Sequence, residues 1–232
     1  MNRLLPMLMV ALTATGPAEA CEIRSGPTAP VVVELYTSEG CDSCPPADRW
    51  LSSLRDRAGV VPLAFHVDYW DRLGWVDRFA SAAHTQRQQQ RQRTSGARFI
   101  YTPQVIANGM DWRRWPDALP AQDRSSVALV LSRRGSHVQA QVTPTPQSPA
   151  ELSGYWAAVE HGQVSRIAAG ENKGATLRHD HVVRAYQPAG TWRGPRELVW
   201  EAAPAAANGR SVVFVVEDAA TGRPLQAVSL AC

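Results

Sequence analysis

The chain has 232 residues, 24 Lys and Arg against 21 Asp and Glu for a net charge of +3, 44% hydrophobic residues and 4 cysteines. That is enough chain for two small domains or one decorated one. A charge so close to balance, without a basic patch interleaved with aromatics, excludes a nucleic-acid binder, and beyond residue 20 no stretch is apolar enough to span a membrane.

Arg3, the apolar stretch Leu4–Leu12 and the small-residue tail Ala18-Glu19-Ala20 read as a secretory signal over residues 1–20, which places the protein in a periplasm or outside the cell. A lipid anchor on Cys21 is the rival reading; it wants an aliphatic residue where Ala18 stands, and Glu19 fits it poorly. Cys21 and Cys232 would be the first and last residues of the exported chain, either joined in a structural disulfide or left as two thiols. Four cysteines in an exported chain suit an oxidising compartment.

Val31–Leu54 is the most informative stretch. Val31, Val32, Val33, Leu35 and Tyr36 form a β-branched apolar run expected to be a buried strand. A small polar turn leads to Cys41-Asp42-Ser43-Cys44 and then Pro45-Pro46. Ala47, Trp50, Leu51 and Leu54 recur at helical spacing, with Asp48, Arg49, Ser52 and Ser53 expected to face outward. Strand, turn, C-x-x-C and helix in that order are the redox element of the thioredoxin fold. Two thiols at that spacing close a small ring. The first, Cys41, is expected to be exposed and to attack as thiolate; the second, Cys44, resolves the mixed disulfide. Pro45 should push Cys44 away from helical angles and start the regular helix itself. Glu34, on the strand leading into the pair, is a candidate proton relay if its carboxyl is buried there.

Val60–Val67 reads as a second strand, parallel to the first. The loop that follows carries Trp70 and Trp75, either a floor for a polypeptide groove or a cover over a core edge. Asp77–Arg93 predicts a largely solvated helix, with the Arg87–Arg93 charge run at the surface. Asn108-Gly109 predicts a hairpin turn. Arg113–Gln122 suggests a helix interrupted by two prolines. From Ser125 onward many short strands with turn signals and no helical run predict an antiparallel sheet. His66, His179 and His181 are weak metal candidates, the last two on one predicted strand over Leu177–Ala185 with Glu171 nearby. No metal is assigned.

LYTSEGCDSCPPAD, FHVDYWDRLGW and YTPQVIANG, with GENKGATLRHDHVVR and GTWRG later, resemble the exported thioredoxin-like proteins catalogued as domain of unknown function 1223. The resemblance covers nearly all of the chain after residue 20. It implies an α/β thioredoxin-like domain over 21–124 followed by an antiparallel β-rich, sandwich-like domain over 125–232. It also supports Cys41, Cys44 and Pro103 as functional positions, with a cis Thr102–Pro103 bond whose loop faces the cysteine pair.

The expected function is that of an exported thiol–disulfide oxidoreductase acting on protein or small thiol substrates. It would need no cofactor, and its counterparts would be exported protein thiols or disulfides or a redox partner. Two alternatives stand beside it. One is a Cu(I)-binding delivery protein using Cys41, Cys44 and His66. The other is a redox-inactive interaction module held by a static disulfide.

Overall fold

The computed structural model describes residues 20–202 and 210–232. The expected export signal therefore lies outside the described residues, apart from Ala20. In chain order the elements are β1 (Ala20–Arg24), β2 (Val31–Thr37), α1 (Pro45–Ser52), β3 (Val60–His66), α2 (Ala82–Thr94), β4 (Gln104–Ala107) and β5 (Met110–Asp111). There follow β6 (Val127–Arg134), β7 (His137–Pro144), β8 (Leu152–Glu160), β9 (Gln163–Arg166), β10 (Thr176–His179), β11 (Val182–Trp192), β12 (Arg196–Glu201), β13 (Ser211–Asp218) and β14 (Pro224–Leu230).

Eight strands form one mixed sheet in the order β14-β13-β8-β11-β3-β2-β4-β5; four form a second sheet, β1-β6-β7-β12, and β9 and β10 form a separate hairpin. This corrects the expected fold class. In place of an α/β thioredoxin-like domain followed by a β-rich domain, the protein is mainly β, with two helices among the described residues. The large sheet draws strands from both sides of residue 124. The physical reason lies at β3, whose outer edge is taken by β11: Val182 aligns in parallel with Ala64, and the Ala64 N–H donates to His181 O at 2.8 Å. An edge that would have ended the first half is thus paired by the second.

Alternation along the strands sorts the core. Val32, Tyr36, Leu63 and Phe65 face one side of the large sheet together with Tyr155, Ala157, Val213 and Val215, and α2 covers this side, with His84 edge-on to Phe65. On the opposite side Val31, Val33 and Leu35 pack with Ala47 and Leu51 of α1. Farther along that side Trp156, Val212 and Phe214 meet Leu129, Leu131 and Val138 of the small sheet, so the two sheets form a sandwich there. β2 is buried along its whole length, as an apolar strand covered on both faces must be. The disulfide Cys21–Cys232 joins β1, an edge of the small sheet, to the segment just beyond β14, an edge of the large one.

Three local expectations are corrected as well. Arg113–Gln122 forms turns rather than a helix, because Pro116 and Pro120 withhold backbone donors. Leu177–Ala185 is not one strand: it breaks at Asp180-His181, where His181 has φ 59°. Arg87 and Arg91 are not surface residues but 6% and 2% exposed. They lie under α2 among Glu34, Glu217, Tyr36 and Tyr155.

Candidate active site

β2 delivers the chain to a tight turn at the carboxyl end of the large sheet. The Gly40 N–H donates to Ser38 Oγ at 3.1 Å and the Cys41 N–H to Ser38 O at 3.2 Å. A side chain on Gly40 would stand 3.2 Å from Trp70 Cβ, so any larger residue there would push the turn and Trp70 apart by a few tenths of an ångström. Cys41 and Cys44 are joined in a disulfide, with Cα atoms 5.4 Å apart.

Helix α1 begins at Pro45, with Cys44 as its N-cap residue. Cys44 itself adopts φ −77° and ψ −36°, which corrects the expectation that Pro45 would force it out of helical angles. Its carbonyl accepts the N–H groups of Ala47 and Asp48 at 2.9 and 3.1 Å, and these bonds outweigh the steric preference before proline. Cys44, rather than Cys41, therefore stands at the positive end of the helix.

In this oxidised state both cysteines are 0% exposed, so the expected exposure of Cys41 is not found. The cover comes from the far half of the chain. The loop between β9 and β10 lies over the turn, and Asn172 Nδ2 donates to both Glu39 O and Cys41 O at 2.9 Å each. Glu171 Oε2 accepts the Asp42 N–H at 3.2 Å. Asp42 and Ser43 remain exposed at the rim.

The Thr102–Pro103 bond is cis. The next residue, Gln104, aligns with Tyr36 in the antiparallel β2–β4 pair, which sets Pro103 at the same end of the sheet as the C-x-x-C turn. Trp70 Nε1–H donates to Thr102 Oγ1 at 2.8 Å and Trp75 Nε1–H to Glu39 Oε2 at 2.8 Å. Both tryptophans thus brace the loops around the turn.

Glu34 does not stand free to relay a proton. Its carboxylate accepts from Arg87 (2.8 Å), Arg91 (2.6 and 3.0 Å), Tyr36 (2.6 Å) and Tyr155 (2.9 Å). Burial alone would raise its pKa, but the two guanidinium groups override this and hold it well below the usual carboxylate range. A buried carboxylate lies instead on α1, where the sequence pattern placed it facing outward. Asp48, expected on the outer face of α1, is buried and accepts from Thr37 Oγ1 at 3.1 Å. Burial pushes its carboxyl up.

His66 Nδ1–H donates to Asp77 Oδ2 at 2.6 Å, and Asp77 also accepts the N–H groups of Glu39 and Phe79 at 2.9 Å. Burial would raise the Asp77 carboxyl; His66 and these donors bring it down to about 2. His179 packs edge-on against His66 with ring centroids 4.9 Å apart. His181, expected to share its face, instead meets His161 at 4.6 Å, since the break at residue 180 turns the chain between them. Burial and His161 lower His181 to about 3. The signal in the sequence for this second layer was GENKGATLRHDH. Its asparagine and first histidine close over the cysteine turn, which no local periodicity announces.

Because Asn172 supplies two of the three polar bonds that hold the loop, Asn172→Ala should speed reduction of the Cys41–Cys44 disulfide by dithiothreitol about tenfold, the equivalent of roughly one hydrogen bond. Alkylation followed by mass spectrometry reads the rate, and an unchanged rate would show that the loop does not gate access.

Residues 32–217 match the family described as "Protein of unknown function (DUF1223)", and the chain belongs to that family. No curated protein matches it. Among solved structures it is similar to protein AGR_C_4864 from Agrobacterium tumefaciens, with 26% identity, a TM-score of 0.66, and 89% of this chain and 96% of that one covered. It is also similar in fold to HBP35 of Porphyromonas gingivalis, with 13% identity, a TM-score of 0.59, and coverage of 88% and 75%. No helix among the described residues is long and apolar enough to cross a membrane.

Proposed function

We propose that the protein is an exported thiol–disulfide oxidoreductase that works through the Cys41–Cys44 couple. The observation that carries this reading is a disulfide between cysteines only three positions apart at the start of a helix, beneath a loop tied to the turn by hydrogen bonds of Asn172 and Glu171. A disulfide meant only to brace the fold gains most by linking distant residues, as Cys21–Cys232 does, and little by closing so short a ring.

In the reducing direction the Cys41 thiolate attacks one sulfur of a substrate disulfide. A mixed disulfide forms, and the other substrate sulfur leaves as thiolate. The Cys44 thiolate then attacks Cys41 Sγ, which closes the internal disulfide and releases the second substrate thiolate; two electrons have passed to the substrate. Oxidation of a substrate dithiol is the same sequence reversed, and the potential of the couple selects the direction. Cys41 takes the attacking role because it precedes the exposed Asp42 and Ser43, whereas Cys44 is the N-cap of α1, whose Ala47 and Asp48 are buried.

Lifting the 170–174 loop would uncover the turn together with the side of Trp75 against which Gly170 packs. Export supplies the partners: thiols and disulfides of other exported proteins.

The test is trapping in an exporting host. Cys44→Ser should accumulate mixed disulfides with exported proteins on non-reducing gels, and Cys41→Ser few or none. Equal trapping by both variants, or by neither, removes the mechanism.

A further inference from the structure

Below the cysteine turn, Asp48, His66 and His179 each offer one ligand atom, and these atoms all lie within 4.8 Å of one another. We propose that this cluster binds a divalent transition-metal ion, zinc in the first place, at a site separate from the sulfur chemistry.

Four observations carry the proposal. The first is unmet bonding capacity. His66 and His179 are 0% and 2% exposed, yet His66 Nε2 and His179 Nδ1 have no hydrogen-bond partner among the described residues, and His179 Nε2 has only Glu39 Oε1 at 3.3 Å. A buried polar atom left without a partner costs about 1–3 kcal/mol, and one nitrogen from each ring, beside a carboxylate oxygen of Asp48, offers its lone pair to the same small space.

The second is orientation. His66 gives its Nδ1–H to Asp77 at 2.6 Å, so that in the neutral ring Nε2 is the lone-pair nitrogen. A carboxylate on the far nitrogen is the usual support of a metal-bound histidine, since it fixes the ring and makes it more basic.

The third is charge. Among the described residues neither Asp48 nor Glu39 pairs with a Lys or Arg, although both are buried. Glu39 Oε1 has no hydrogen-bond partner and lies 3.3 Å from His179 Nε2. A dication bound by Asp48, His66 and His179 would compensate the Asp48 carboxylate directly and the Glu39 carboxylate through its contact with His179.

The fourth is access. A cleft of about 170 Å³ between the start of α1 and β10, lined by Pro45, Asp48, Arg49, Leu177, Arg178 and His179, reaches two of the three ligands from outside.

Two imidazoles and a carboxylate with a fourth position open are a donor set that zinc accepts. Tetrahedral bonds of about 2.0–2.2 Å require ligand atoms roughly 3.4 Å apart, a contraction within reach of side-chain rotation. All three ligands are nitrogen or oxygen, and both sulfurs of the turn are committed to each other, so the site needs no reduction of the disulfide.

The experiment uses the full chain, chelator-treated, with both disulfides intact. Titration with Zn²⁺ against a chromophoric chelator should show one ion per chain, and bound zinc should raise the melting temperature. Co²⁺ should give the visible bands of a tetrahedral nitrogen–oxygen site without a thiolate charge-transfer band. His179→Gln and Asp48→Asn should each abolish 1:1 binding, and Asp77→Asn should weaken it about 10–100-fold. A Cys41→Ser, Cys44→Ser double variant should bind zinc as the wild type does, which keeps this result distinct from the fate of the redox reading. Absence of 1:1 binding by the oxidised wild type overturns the proposal even if the variants fold poorly. So does binding that survives His179→Gln, that shows a thiolate band, or that requires reduced cysteines. The first of these outcomes would leave buried water as the occupant.

Discussion

Replacing Arg91 with alanine should destabilise the fold by about 3–5 kcal/mol, a fall in Tm on the order of 10 °C for a chain of this size. Arg91 reaches Glu34 at 2.6 and 3.0 Å and also pairs with Glu217 and with the Gly222 carbonyl. Arg87 bridges the same two carboxylates at 2.8 and 2.6 Å and lies 4.2 Å over the Tyr155 ring. Two positive and two negative groups, all buried, cancel each other; deleting one leaves an uncompensated charge where water cannot reach.

Replacing the whole quartet with apolar residues of similar volume should cost far less, which separates the penalty of a broken network from the worth of the intact one. The pH dependence has a definite sign. The Glu34 pKa is lowered in the folded state from its ordinary 4.5. Its contribution is therefore fully present above about pH 4.5 and is lost as pH falls through the depressed folded value. Glu34→Gln should accordingly lose most stability near neutrality, with the gap to wild type narrowing in acid. Urea unfolding across pH measures both effects, and a variant within 1 kcal/mol of wild type at pH 7 would refute the account.

Removing the disulfide between the chain ends should cost about 2–5 kcal/mol. Cys21 and Cys232 are 211 residues apart, so the bridge closes a very long loop in the unfolded chain and removes much of its freedom. It also ties an edge strand of the small sheet to the end of the last strand of the large one, so both sheets of the sandwich lose a tether together. The double variant Cys21→Ser, Cys232→Ser avoids a stray thiol. Its urea midpoint should fall while the reduction rate of Cys41–Cys44 stays at the wild-type value. A lower midpoint together with faster reduction of Cys41–Cys44 would mean that the two disulfides are mechanically coupled.

The two effects mark where reading the chain stops. Local pattern by itself determined the strand Val31–Thr37, the C-x-x-C turn, the helix starting at Pro45 and the parallel strand Val60–His66. It determined as well the Asn108-Gly109 turn, with φ 47° and 82°. Each rests on residues within one or two turns of each other: β-branched runs, prolines that fix φ, a dipeptide that tolerates the left-handed region.

Only the tertiary structure decided that the two halves share one sheet, because β3's free edge is filled by β11, more than a hundred residues later. The same is true of α2. Its sequence is so polar that it reads as a solvated helix, yet Arg87 and Arg91 are buried because Glu34 and Glu217 come to meet them from β2 and β13. The site follows the same rule. Cys41 and Cys44 stand three positions apart in the chain and are visible to inspection. Their cover by Asn172, and the meeting of Asp48 and His66 with His179, exist only once the β9–β10 hairpin folds back over α1. Side-chain periodicity carries information about a residue's own face and near neighbours, and none about which distant carboxylate or imidazole will be there to face it.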